Sequence, residues 1–245
     1  MKKFVSIGEA AKKLNVSIDT LRRWDKTGIL KSYRLGGEKG HRYYEETDLA
    51  LFGIDLLEEA RNWATSQEPH EPENNFYCID SSVFQARLGK LENRIKIIPG
   101  LEDEFSLITS SVGEIGNNSF DHNIGSWPDI RGIFFAYNLE KKQIILADRG
   151  RGILTTLKRV RPNLKTDEEA LSLAFTEKIS GRAPESRGNG LKYVKRAVTQ
   201  DSNKISIKLF FQTGEAELFL EKGAGNLDIK KSKRPFRGCL ALITF

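Results

Sequence analysis

Cysteine is scarce in this chain: two among 245 residues, Cys78 and Cys239, far apart and with no CxxC spacing. Neither a disulfide framework nor a structural zinc site is indicated, and a reducing cytoplasm is the expected setting. Long apolar runs are missing too, since none approaches the roughly 18 residues a membrane helix needs. The N-terminus meets Glu9 before a signal-peptide apolar region can form. A cytoplasmic protein with no membrane partner is expected. What is present is enough for a sizeable core: 39% hydrophobic and 29% charged residues, in a length that suits one large domain or two small ones.

The net charge of +6 is unevenly spread. Residues 1–44 hold eleven basic and four acidic side chains, residues 45–75 one and nine, and residues 76–245 twenty-seven and twenty. A basic block followed by an acidic one suits a nucleic-acid-facing unit and a spacer, although clustering on solvated faces gives the same asymmetry.

Ser6 stands three residues before Glu9, the spacing of a capping box, and Ile7, Ala10, Ala11 and Leu14 follow at helical intervals. Ser17 can cap a second helix with Thr20, Leu21 and Trp24 inward and Arg22, Arg23 and Lys26 outward. Two short helices joined by about three residues form a helix-turn-helix, whose second helix can enter a major groove. Residues 33–35 and 41–44 then read as two short strands around a glycine-rich reversal, a wing. The register S-I-G-E-A-A-K-K-L-N-V-S-x-x-T-L-R-R-W-x-x-x-G-I-L, followed by G-H-R-Y-Y, resembles the winged helix-turn-helix of the MerR and excisionase group over residues 4 to about 50. The resemblance implies that Arg22, Arg23 and Lys26 approach double-stranded DNA from the recognition helix, and Arg34, His41, Arg42 and Tyr43 from the wing. For Arg42 and Tyr43 the alternative is that they brace the wing against Trp24. A third helix is expected over residues 48–63, with more apolar surface than one face requires. It either packs on the following domain or pairs with a second copy, and the resemblance implies a homodimer. Residues 65–75 lack apolar periodicity and carry two prolines, so they read as a linker.

In the remainder, residues 82–91 suggest a helix, 94–98 a strand, and 101–123 a long helix on which Glu114, Asn118 and His122 share one face. A solvated polar stripe is the bland explanation of that pattern. Strands are expected at 130–138 and 143–147, the second running into Asp148-Arg149-Gly150-Arg151-Gly152, where glycines let the backbone pass close to a ligand. Helical stretches at 152–160 and 167–178 lead to a polar loop over 180–187. Gly188-Asn189-Gly190-Leu191 then opens another helix, and exposed amides at such a start bind phosphate. Residues 205–211, 216–221 and 239–245 read as closing strands.

Together, E-I-G-N-N-S-F-D-H at 114–122, D-R-G-R-G-I at 148–153, and F-T-E-K followed by S-R-G-N-G-L within 175–191 resemble the asparagine box and the two glycine boxes of the GHKL superfamily of gyrases, heat-shock chaperones, histidine kinases and MutL. The implied fold class is α+β: a winged helix-turn-helix at 1–64, a linker at 65–75, and an ATP-binding α/β sandwich of the Bergerat type at 76–245, with a mainly antiparallel sheet covered by helices. The resemblance implies ATP and Mg²⁺ as cofactors, Asn118 as the metal ligand, Glu114 as general base and Asp148 as the acceptor of the adenine amino group. Gly150 and Gly152 would make room for the base, and Gly188, Gly190 and Leu191 would wrap the phosphates. His122, Lys178, Arg182 and Arg187 would contact phosphate or else be plain solvated side chains. Ser119 stands where the superfamily usually has alanine, a change expected to be harmless. The implied function is an ATP-dependent DNA-binding regulator that hydrolyses ATP. A DNA-tethered serine/threonine kinase of the anti-sigma type with a protein partner, or an ATP-sensing scaffold with negligible turnover, are the alternatives.

Overall fold

The capping box forms as its spacing predicts: Ser6 Oγ accepts from the Glu9 amide while the Glu9 carboxylate accepts from the Ser6 amide. It starts α1 (Ile7–Leu14), and Asn15 in the left-handed region ends it. Ser17 caps α2 (Ile18–Lys26) through the Thr20 amide. Three short antiparallel strands, β1 (Phe4–Ser6), β2 (Tyr33–Leu35) and β3 (His41–Glu45), pair in the order β1-β3-β2. Ala10, Leu21, Trp24, Leu30, Tyr44 and Leu49 form the core beneath them. Tyr44 is fully buried and its hydroxyl donates to the Leu21 carbonyl, pinning the wing to α2. This computed structural model describes residues 3–35, 37, 40–46, 48–49, 55–179 and 189–245.

The larger sheet contains β4 (Tyr77–Cys78), β5 (Ile133–Asn138), β6 (Gln143–Asp148), β7 (Lys208–Leu220) and β8 (Asp228–Thr244), ordered β4-β5-β6-β8-β7 with every pair antiparallel. The runs IFFAYN and QIILAD are nearly continuously apolar because both faces of this sheet are covered. Ile133, Phe135, Ile144 and Leu146 face a core shared with α4 (Ser81–Ile95), α5 (Phe105–Asn123), α7 (Asp167–Thr176) and α8 (Gly190–Thr199). A short helix, α6 (Gly152–Leu157), follows β6.

Phe134, Ala136, Ile145 and Ala147 point the other way, against α3 (Leu56–Thr65). The expected helix over 48–63 is interrupted, since Asp55 has extended backbone (φ −76°, ψ 91°) and its carboxylate caps a new helix at Leu57 and Glu58. Leu56, Ala60, Trp63 and Ala64 are buried against Phe134, Phe236 and Leu240. Burying side chains such as Leu56 and Trp63 stabilises by roughly 1.5–3 kcal/mol each. For residues 56–64 the apolar surface packs on the following domain, while residues 50–54 of the expected helix lie outside the described residues. Helix α3, grouped by sequence with the DNA-binding block, thus contributes to the C-terminal core, and that face is closed to a second copy. The expected linker runs along the domain as well: Trp63 Nε1 donates to the His70 carbonyl at 2.8 Å, and Pro72 is buried.

Three strand expectations change. Residues 94–98 hold the end of α4, where Ile95 continues the buried spacing of Leu88 and Leu91. Residues 205–221 contain one strand, because a register shift around Thr213 and Gly214 (φ +54°) absorbs the irregularity that suggested a break. Strand β8 begins at Asp228, well before residue 239; its outward Lys230, Lys231, Lys233, Arg234 and Arg237 mask the alternation. Among the described residues no helix is long and apolar enough to cross a membrane.

Candidate functional sites

At the end of β6, Asp148 is 1% exposed. Its two oxygens are held separately, Oδ2 by the Ser119 hydroxyl at 2.7 Å and Oδ1 by the Gly150 amide at 2.8 Å. Burial pushes its pKa up from 3.8 to about 6, against the lowering effect of those two donors and of the Cys239 amide. The glycines around it are sterically required. A Cβ on Gly150 would come within 2.6 Å of Asp148 Oδ1 and overlap the Asn123 amide, and one on Gly238 (φ +77°) would overlap the Asp148 backbone. Gly152 has φ +73° and sits under Thr213, whose hydroxyl accepts from the Ile153 amide and donates to the Gly238 carbonyl.

Above this carboxyl lies a slot whose apolar walls include Ile115, Ile153, Leu157, Ala174, Leu191 and Phe211. Asn118, Ser119 and His122 line it from α5, and Gly190 and Leu191 from the start of α8. Glu114 lies one turn before Asn118, and a Cβ on Gly190 would overlap its carboxylate and stand 3.3 Å from Asn118 Nδ2. The structure therefore brings together Glu114, Asn118, His122, Asp148, Gly150, Gly152, Gly190 and Leu191. Lys178 is exposed and does not line the slot, although the next residue, Ile179, does. Arg182, Arg187 and Gly188 lie outside the described residues. Cys239 lines the slot as a protonated thiol, because burial pushes its pKa well above the usual thiol range.

Ser119, Thr213 and Gly238 are participants that sequence reasoning did not place. Ser119 carried a signal in its departure from alanine, for a hydroxyl beside a buried carboxylate has a partner at hand. Gly238, before Cys239, had no more signal than any glycine ahead of a strand. Arg149 is the largest fully buried side chain among the described residues, and it points to the opposite side of β6 from Asp148, toward α3.

On the N-terminal unit, Arg22, Arg23 and Lys26 are exposed along α2, and Arg22 pairs with Asp19 at 2.9 Å. The β2–β3 register sets Arg34 opposite Arg42 and Leu35 opposite His41, so the four wing residues divide between two faces of the hairpin. His41 and Arg34 are exposed. Arg42 instead donates from Nε to Asp25 Oδ2 at 2.7 Å, while Asp25 Oδ1 accepts from the Ser32 amide. Burial acts to raise the Asp25 pKa, but Arg42 and Ser32 outweigh it and hold the carboxyl below its usual range. In this geometry Arg42 ties the wing to α2, and Tyr43 is half-buried beside it.

The two units meet at the end of α4. Gly28 (φ +76°) sits against Ile97, and the Arg94 guanidinium donates to the Tyr137 hydroxyl of β5 at 3.3 Å, with the Asp48 carboxylate near enough to favour its charged form.

Residues 5–54 match the family described as MerR HTH family regulatory protein, so the chain carries a MerR-type helix-turn-helix domain at its N-terminus. It is similar to the multidrug-efflux transporter 1 regulator of Bacillus subtilis (strain 168), with 27% identity over 43% of this chain and 37% of that protein. It is also similar to the type II methyltransferase M.Eco47II of Escherichia coli, with 38% identity over 68% of this chain and 49% of that protein. The chain thus spans half or less of the length of these two relatives. Among solved structures, it matches the 43K ATPase domain of Thermus thermophilus gyrase B in complex with an aminocoumarin, with 16% identity, a TM-score of 0.33, and coverage of 67% of this chain and 40% of that one.

Proposed function

We propose that the chain is an ATP-responsive DNA-binding regulator, in which a C-terminal adenine-nucleotide site controls an N-terminal MerR-type domain. The observation that carries the reading is Asp148: a fully buried carboxyl, oriented by Ser119 and Gly150, at the floor of an apolar slot with Asn118 and Glu114 on one helix beside it. A planar base would lie between walls such as Ile115 and Leu191, and its amino group would donate to the Asp148 carboxylate. Amides at the start of α8 would receive phosphate oxygens, favoured by the positive end of the helix dipole. His122 would add a hydrogen-bonding contact at the slot's polar side.

The donor set fits Mg²⁺, which is commonly held by one or two protein oxygens plus substrate phosphates. Asn118 would supply that oxygen, and the ion would neutralise phosphate charge. Glu114, exposed and one turn away, would orient the attacking water and accept its proton in hydrolysis. On the DNA side, Arg22, Arg23 and Lys26 would face the major groove, with Arg34, His41 and Tyr43 reaching the backbone beside it. Arg42 would act chiefly by holding the wing in place. The division between the units falls at residues 50–54 in this reading, with α3 on the ATP side. ATP and chromosomal DNA as ligands suit a cytoplasmic setting.

The test is operator affinity. Duplexes selected from a random pool by the full chain are titrated with and without saturating ATP and Mg²⁺. A nucleotide can shift the protein only through different affinity for two states. The reading expects at least a fivefold change in DNA affinity, and identical isotherms would refute the control of one unit by the other.

A further inference from the structure

Arg149 follows Asp148 directly, yet nothing in the nucleotide reading uses it. Its guanidinium is fully buried, and all of its nitrogens are engaged. Nη1 donates to the Trp63 carbonyl at 2.5 Å and the Ala64 carbonyl at 3.2 Å, and Nη2 to the Ser66 carbonyl at 2.8 Å. Nε and Nη2 both reach the Asp129 carboxylate, at 3.2 and 2.8 Å. The three carbonyls belong to the last turn and cap of α3, groups that have no partner within their own helix and carry the negative end of its dipole. Asp129 is in turn gripped by Arg237 of β8 at 2.8 Å. Burial acts to raise its pKa, but the Arg149 and Ile130 hydrogen bonds and the two arginine charges outweigh that and keep it below the usual range.

Consecutive residues of a strand end point to opposite faces. Asp148 enters the slot on one side of the sheet, and Arg149 caps α3 on the other. The peptide between them has little freedom, since the Gly150 amide is bonded to Asp148 and Gly238 packs against the Asp148 carbonyl. We infer that Arg149 is a positioning residue that couples occupancy of the slot to the C-terminal turn of α3, the first described helix after the DNA-binding unit. A ligand hydrogen-bonded to Asp148 tightens the β6–α6 turn, and Arg149 passes that restraint to the carbonyls of residues 63–66. The inference rests on the proposed binding of ATP in this slot.

The experiment is hydrogen–deuterium exchange on the full chain with and without saturating ATP and Mg²⁺, with ATP binding followed by calorimetry. For wild type we expect exchange in peptides covering residues 61–70 to slow at least threefold on ATP addition. Arg149→Lys cannot reproduce the planar fork, and it is expected to bind ATP within fivefold of wild type while losing that slowing. A merely structural role would raise exchange equally in both conditions. Asp129→Asn, the milder change should Arg149→Lys fail to fold, is expected to lose at least half of the slowing. Wild type that binds ATP with unchanged exchange at 61–70, or a folded Arg149→Lys or Asp129→Asn protein that keeps the full slowing, overturns the coupling alone. Folded wild type that binds no ATP overturns the nucleotide reading and the coupling with it.

Discussion

Replacing Asp148 with asparagine should stabilise the protein while removing its ligand. Burial raises the carboxyl from 3.8 to about 6. The native state therefore binds more protons than the unfolded one between those values, and stability falls as pH rises through that window. Above pH 6 the ionised form costs about 3 kcal/mol, two pKa units at 1.36 kcal/mol each. Asparagine keeps the shape, accepts from Gly150 through its oxygen, and can donate to the Ser119 hydroxyl, so Asp148→Asn should recover much of that cost. For a chain of this size the ceiling corresponds to a Tm increase of about 6–12 °C at pH 7. The increase should shrink steeply below pH 6 and be small by pH 4, where the native carboxyl is protonated and the unfolded one is close to its own pKa of 3.8. Binding moves the opposite way, because an amide donor would face the adenine amino group. Loss of a hydrogen bond to a charged acceptor is worth about 1.5–3 kcal/mol, or 10- to 150-fold in affinity. Calorimetric melts of both proteins at pH 4, 5, 6 and 7, with ATP titrations at pH 7, measure both effects. A variant less stable than wild type at pH 7, or a Tm difference independent of pH, would show that the carboxylate is not held at a cost for binding.

Other consequences can be checked separately. Glu114→Ala should bind ATP within a few-fold of wild type and lose at least 100-fold in phosphate release, the scale of general-base catalysis; unchanged turnover would remove Glu114 from the reaction. Arg23→Ala and Lys26→Ala should each lower the slope of log DNA affinity against log salt by about 1, whereas Arg42→Ala should act mainly by lowering Tm, since it leaves Asp25 without its ion pair. Tyr44→Phe should destabilise the N-terminal unit by about 1 kcal/mol through the lost bond to Leu21, and equal chemical-denaturation midpoints would contradict that packing.

The parts legible in the sequence were those whose chemistry is local. The Ser6–Glu9 cap, the Ser17 cap and the four-residue spacing of Glu114, Asn118 and His122 each lie within one helix, and the structure forms all three. What escaped depended on long-range partners. The surplus apolar surface of residues 56–64 could not show which surface would cover it, because Phe134 of β5 and Phe236 and Leu240 of β8 are far away in the chain. Arg149 stands in the sequence only as one residue of a glycine-rich turn, and the fold alone brings Asp129 and the α3 carbonyls to it. Arg42 belonged to a basic cluster that suggested DNA, and the pairing of β3 with α2 gave it Asp25 instead.

The most direct measurement is a calorimetric titration of the full chain with ATP and, in parallel, GTP, both with Mg²⁺. In the proposed reading Asp148 accepts a hydrogen bond from the adenine amino group, where guanine would place a carbonyl oxygen. The account predicts one saturable ATP site per chain, at least ten times tighter than any GTP binding. No ATP binding by folded protein, or equal affinity for the two nucleotides, would contradict it.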